Sequence, residues 1–399
     1  MSAQSKTKNI MLPVVMISLA LALRQMSMTI VAPFISTYCK SLAGYTPLLA
    51  GLAVGAFGLM QALFQIPFGI LSDRYGNKRV LLSGLVVVII GFVLGFFARS
   101  IWMLILARVL QGSGAVIGVG YSWVAGLADD QSRTKAMSIL GAFISGAAAL
   151  AFAVGPLLRG VMSVSWMFLA GAVLLSVNSF YILFFLKDTG NGEKTSLPQR
   201  GEIAALLRNR TFVTMNMAAF LNNFMMMSVF YAAPIDMDQV TGQNGMWKIF
   251  VPAIIVAIPF LKAMIRWVDK GHVNAVLLVA FAVSFLSILF YFRPSSFLFL
   301  LLGTTFFLCG YITIATVAAT RANEVLEDNL RGTGNGIFNS FQYIGNFGGA
   351  LATGAVWGTS PRAAWLIVIA VGVAGFLMII FNRPSSAEKP EKEDFPHEG

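Results

Sequence analysis

Twelve apolar stretches divide this sequence, near residues 11–38, 46–70, 80–98, 101–127, 134–158, 164–186, 211–234, 246–266, 273–292, 296–320, 333–357 and 363–382, each long enough to cross a bilayer. Nothing else in the chain constrains its fold as strongly. Hydrocarbon offers no water to backbone N–H and C=O groups, so each stretch has to satisfy its own backbone as a helix. Composition agrees: 57% of residues are hydrophobic and 11% charged, whereas a soluble domain carries about 25% charged residues. The chain reads as an all-α integral membrane protein with twelve transmembrane helices.

The connecting loops are short except for residues 187–210, which split the helices six and six. The expected organisation is an N-terminal bundle over residues 1–186, a linker over 187–210, a C-terminal bundle over 211–382 and a charged, disordered tail over 383–399. Lys6 and Lys8 before the first apolar run imitate a signal peptide, but the run is long enough to span and reads as a retained first helix. Twenty of the 28 Lys and Arg residues fall on the side that holds both termini. Only Lys40, Arg99, Arg159, Lys248, Arg293 and Arg362 fall on the other. That bias makes both termini cytoplasmic.

The net charge of +11 lies in short runs between apolar blocks, where it meets lipid headgroups, and forms no patch for nucleic acid. The two halves also echo each other. Asp129-Asp130-Gln131-Ser132-Arg133 after span four is matched by Glu327-Asp328-Asn329-Leu330-Arg331 after span ten, and the same offset of 198 residues carries Arg24 onto Asn222. Two pseudo-symmetric six-helix bundles with a site between them at mid-depth are how many secondary transporters are built. Enzyme signatures are lacking: there is no H-E-x-x-H, no G-x-x-x-x-G-K-[ST] and no nucleophile–base pair. Cys39 and Cys309 are far apart, without metal-ligand spacing. No cofactor or metal is expected.

Polar residues inside the spans are the candidates for function, because lipid penalises them. An arginine at the middle of a span costs roughly 2.5–3.5 kcal/mol on insertion scales. Arg24 lies halfway along span one and Arg108 a third of the way down span four, yet none of the 17 acidic residues falls at mid-span. Each arginine therefore either lines a central cavity, binding an anion or tuning a proton site, or is hydrogen-bonded to neighbouring helices for packing. The same absence weakens any proton relay: His272 sits in a loop, His397 in the tail, and Asp73, Asp129, Asp236 and Asp238 near membrane edges. Span eleven carries Asn335, Asn339, Gln342 and Asn346 on one helix face. That stripe is either cavity lining or glue between helices.

Between spans two and three, Gly69-Ile70-Leu71-Ser72-Asp73-Arg74-Tyr75-Gly76-Asn77-Lys78-Arg79 resembles the G-x-x-x-D-R-x-G-R-K loop of the major facilitator superfamily, with Asn77 where that loop usually has Arg. Arg108-Val109-Leu110-Gln111-Gly112-Ser113-Gly114 resembles its R-x-x-Q-G-x-G signature. Ala22-Leu23-Arg24-Gln25-Met26, Gln65-Ile66-Pro67-Phe68-Gly69 and Arg133-Thr134-Lys135-Ala136-Met137 are similar to the bacterial drug:proton antiporters of the YajR group. Gly155-Pro156-Leu157-Leu158-Arg159-Gly160 departs from the G-P-x-x-G-G that an antiporter signature would have.

The resemblance implies a monomeric transporter of the bacterial inner membrane, exporting small amphipathic compounds against protons. It implies that Asp73, supported by Arg133 and Asp129, docks at the start of span eleven in the outward-facing state, within a switch formed by Gly69, Arg74, Gly76, Lys78 and Arg79. It implies hinge or packing roles for Gly112, Gly114, Gly155 and Pro156. Gln25, Tyr121, Asn222, Asn223, Tyr311, Asn339, Gln342 and Asn346 lie on helices that face the cavity in that superfamily. Two alternatives stand beside this reading: an organic-anion or metabolite transporter drawing on Arg24 and Arg108, and a transporter-like sensor or scaffold that moves nothing.

Overall fold

The computed structural model describes residues 3–128, 130–187, 204, 206–242, 244–326 and 330–382. Asp129, most of the linker and the tail from 383 onward lie outside the described residues. Described residues form helices and no named strand; their one β-bridge joins Ala43 to Ser100.

Span one is Ala3–Val31, continued through a 3-10 turn at Ala32–Phe34 and the short helix Ile35–Cys39. Span two is Pro47–Tyr75, span three Asn77–Phe96, span five Asp130–Val161 and span six Val164–Phe185. Span four is broken into Ile101–Ser113 and Val116–Leu127. In the second half, span seven is Arg210–Thr241, eight Trp247–Asp269, nine Val273–Ser287 with a 3-10 extension Ile288–Phe292, ten Phe297–Glu324, eleven Arg331–Trp357 and twelve Pro361–Phe381.

Eleven of these spans are long and apolar enough to cross a membrane. The exception is span eleven, which the sequence counts among twelve apolar stretches. Its helix is as long as the others, but Asn335, Asn339, Gln342 and Asn346 lower its hydropathy. A helix with that stripe has to bury it, and span eleven packs between spans two and seven. Conversely, Val86, Ile90, Trp102, Val177, Ile255 and Leu289 are exposed on the outer surface, as contact with acyl chains requires. An apolar groove along span six, lined by Met162, Trp166, Val173 and Val177 among others, belongs to this surface.

The helices start where side chains can satisfy the first free N–H groups. Thr46, Ser100, Ser163, Ser296 and Ser360 each accept a hydrogen bond from the backbone N–H three residues on, at the starts of spans two, four, six, ten and twelve. Between spans two and three the chain turns at Gly76, whose φ of 90° an L-side chain rarely adopts.

Packing repeats with a period of six spans. Contacts of one with five, two with four, three with six and one with six recur as seven with eleven, eight with ten, nine with twelve and seven with twelve. The halves meet most extensively through spans two and eleven, and also where span seven packs on the end of span one and span five on span eight. At the end of the molecule opposite the termini, spans two and eleven touch backbone to backbone. A β-carbon at Gly51 would lie 2.5 Å from the Ala350 carbonyl oxygen, and one at Gly58 2.9 Å from that of Tyr343. Toward the termini the contact is lost: at Gly69 and at Gly336 a β-carbon would meet nothing within 4 Å. The molecule is shut on the side away from its termini.

A cationic centre and its gate

At mid-depth, Arg24 of span one is completely buried. Its Nη2 donates to Gln61 Oε1 of span two at 2.8 Å and to the Gly114 carbonyl of span four at 3.4 Å. The second contact depends on the break in span four. Gly114 and Ala115 leave helical geometry, so carbonyls of the preceding turn lose their intrahelical donors and become available. Arg108, 3% exposed, donates from Nη1 to Gln111 Oε1 at 2.7 Å and from Nε to the Ala53 carbonyl at 3.3 Å. Both guanidinium carbons stand over Phe57 of span two, at 5.9 Å for Arg24 and 4.9 Å for Arg108. Cation–π attraction strengthens with desolvation, to about 2 kcal/mol or more.

Neither arginine is left to water, and both have the packing contacts that formed one of the two readings of the sequence. Arg24 nevertheless keeps Nε and Nη1 without a hydrogen-bond partner among the described residues. The Phe57 ring meets Tyr343 of span eleven edge-on, with centroids 6.4 Å apart, which ties the cationic pair to the opposite half.

The second half repeats the motif without charge. Asn222 donates to the Tyr311 carbonyl of span ten at 3.1 Å, and its own Oδ1 is unpaired. Asn223 instead donates to Ala219 in its own helix at 2.9 Å. Asn346 is buried against Gly58 with Oδ1 unpaired, while Asn339 and Gln342 are half-buried on the same helix. Gln25, Tyr121 and Tyr311 are also half-buried; Gln25 donates to Thr29 at 3.1 Å.

The loop residues sit at the terminus side. Asp73 falls in the last turn of span two. Lys78 donates from Nζ to the Leu183 and Leu186 carbonyls at 2.9 and 2.7 Å, closing the end of span six. Arg74 and Arg79 are exposed, Arg74 over the Tyr75 ring, and Arg133 is half-buried at the start of span five. Gly112 and Gly114 bring span four against spans two and three, and Gly155, one residue before Pro156, brings span five against the Ile30 carbonyl of span one.

One boundary is corrected. The sequence ends span seven at 234, but the helix runs through Pro234 to Thr241, and Asp236, near that end, is 6% exposed. Beside it, Tyr231 donates to the Pro47 carbonyl across the two halves at 2.8 Å. Burial raises the Tyr45 phenol above its ordinary value, so this neighbour of Tyr231 stays neutral. Phe57, Gln61 and Tyr343 are further members of the site that residue-type arguments passed over.

Residues 17–350 match the model of the Major Facilitator Superfamily. The chain belongs to that superfamily. It is a multi-pass membrane transporter with no enzymatic role. It is similar to the inner membrane transport protein YajR of Escherichia coli, 28% identical over 340 residues, covering 83% of this chain and 74% of YajR. A protein of Buchnera aphidicola named only as an uncharacterized transporter is 27% identical over 336 residues, 82% of this chain and 85% of that one. The class C tetracycline resistance protein of Escherichia coli is 30% identical over 151 residues, 38% of each. Among solved structures, the nucleoside transporter NupG superimposes with a TM-score of 0.71 at 14% identity, covering 94% of this chain and 100% of NupG.

Proposed function

We propose that the chain is a proton-coupled exporter of small amphipathic compounds. It acts as a monomer in a bacterial inner membrane with both termini in the cytoplasm. Two bundles, residues 1–186 and 211–382, rock about the polar centre, and the linker 187–210 joins them. The observation that carries this reading is the unequal contact between spans two and eleven, tight from Gly51 to Gly58 and open at Gly69 and Gly336. Packed interfaces of this kind are bistable, so closing one end by rocking opens the other. The partial similarity to tetracycline resistance proteins supports export, and the uneven Lys and Arg distribution supports the orientation.

Proteoliposomes with an acidic lumen, given ethidium outside, should accumulate it well above protein-free vesicles. Equal rates would remove the exporter reading. In the other conformation Asp73 is to dock on the start of span eleven, where unpaired N–H groups attract a carboxylate. Asp73→Asn should then slow transport at unchanged protein level, and an unchanged rate would rule out the latch.

The unpaired Nε and Nη1 of Arg24, with no carboxylate among the described residues bonded to either central arginine, favour a second reading in which the cargo is an organic anion. Uptake of carboxyfluorescein that is lost in Arg24→Ala would select it over the first.

A further inference from the structure

The proton-coupled reading leaves open which group takes the proton, since both central charges are arginines. Asp236 is buried, its Oδ2 has no hydrogen-bond partner among the described residues, and it sits where the two halves close. Span seven packs there against the 3-10 turn Ala32–Phe34 and the helix Ile35–Cys39 of the first half. The groups that act on Asp236 come from several elements. Lys40, exposed in the loop after span one, supplies the cationic field, and Tyr291 from the end of span nine lies within the field of Asp236. Tyr231 on its own helix and Tyr45 from the loop before span two form the adjoining hydrogen-bonded pair. Asp238, two residues on, lies within the field of Arg159 of span five. Lys248 and Arg362, at the starts of spans eight and twelve, are exposed. The facing stretches 47–60 of span two, 297–307 of span ten and 345–357 of span eleven contain no titratable side chain.

We propose that Asp236 is the proton-binding residue that couples protonation to closure of the side opposite the termini. An ionised carboxylate shut into this interface with an unpaired oxygen is costly, whereas a protonated one loses little. Opening the interface returns the group to water, where ionisation costs nothing. The closed form therefore holds the proton more tightly than the open form, and by linkage acid favours closure while rising pH favours opening. With the termini cytoplasmic, a proton taken from outside would close the outer side and commit the carrier to face inward.

A native reporter is at hand: Cys39, fully buried beside Lys40 at the same interface. In the full-length protein carrying Cys309→Ser, maleimide labelling of Cys39 can be followed from pH 5.5 to 8.5. Each rate is divided by that of the denatured protein at the same pH, which removes the intrinsic titration of the thiol. The normalised rate should rise with pH by roughly tenfold, the largest change that a tenfold difference in proton affinity between the two forms can produce. Asp236→Asn, an isosteric mimic of the neutral acid, should label slowly at every pH. Lys40→Gln, which leaves the carboxyl in place but removes its cation, should steepen the rise.

A flat wild-type profile, or an Asp236→Asn profile that still rises, would overturn the assignment. So would a shallower rise in Lys40→Gln. The inference rests on the proton-coupled reading, but labelling needs no transported substrate. Loss of gradient-driven ethidium flux with pH-dependent labelling intact would therefore sink the exporter alone, and gradient-driven flux with pH-blind labelling would sink Asp236.

Discussion

The first and second bundles solve the same local problem with different chemistry. In the first, a guanidinium on span one reaches the Gly114 carbonyl in a broken span four; in the second, 198 residues on, the carboxamide of Asn222 reaches the Tyr311 carbonyl in an unbroken span ten. Position 113 plus the same offset is 311, so the two acceptors are equivalent to within one residue. The difference lies in the number of donors. A guanidinium brings five N–H groups, and an unbroken helix offers them only the second lone pair of carbonyls already bonded within it, whereas a carboxamide brings two. Breaking span four releases acceptors, and Phe57 between the two arginines offers a π face in place of a carboxylate. The scaffold is duplicated, but the charge belongs to one half.

The sharpest way to break this comparison is to make the halves alike. Asn222→Arg puts a second guanidinium beside an intact helix, at a cost of roughly 2.5–3.5 kcal/mol on insertion scales with no break to receive it. That is large against a total stability of about 5–15 kcal/mol, and the expected result is loss of the monodisperse peak on size-exclusion chromatography. A normal peak would mean that the break in span four is not what makes Arg24 tolerable.

A smaller effect is expected where the halves touch. Gly51→Leu drives a side chain into the Ala350 carbonyl, and overpacking of this kind costs about 1–3 kcal/mol. Because only the closed form has that contact, the strain should reappear as opening, raising normalised Cys39 labelling by roughly 5- to 150-fold. The smallest change is Tyr45→Phe, which deletes one hydrogen bond between the halves, to Tyr231, and leaves that from Tyr231 to the Pro47 carbonyl in place. A bond of about 1 kcal/mol corresponds to roughly fivefold in labelling rate. If Tyr45→Phe outweighed Gly51→Leu, the hydrogen bond and not the close-packed backbone would be what holds this end shut.

The spans were legible because lipid leaves so few options: length and hydropathy dictate where they fall, though not where each helix ends. The polar face of span eleven was legible too, since Asn335, Asn339, Gln342 and Asn346 recur at helical spacing. The break in span four was not, because Gly112-Ser113-Gly114 sits within a continuous apolar run and glycine also serves close packing. Span seven ends at 234 in the sequence, where the apolar run stops, yet the helix continues to Thr241. Span seven packs there against the far end of span one, nearly 200 residues earlier, and no local pattern encodes that contact. Tyr343 was overlooked beside Gln342 for a similar reason: its partner Phe57 lies in the other half.

The hydroxyl caps bear on how such a chain is made. A polypeptide threaded into a bilayer from the side of its termini must carry six short loops to the far side. Five of them end in Thr46, Ser100, Ser163, Ser296 or Ser360, each already holding an N–H of the helix that returns. A returning helix begun in this way need not wait for a later span to supply its first acceptor. Five of the six returning helices are self-sufficient in this sense, and span eight, which starts at Trp247 after Met246 with no side-chain cap, is the exception.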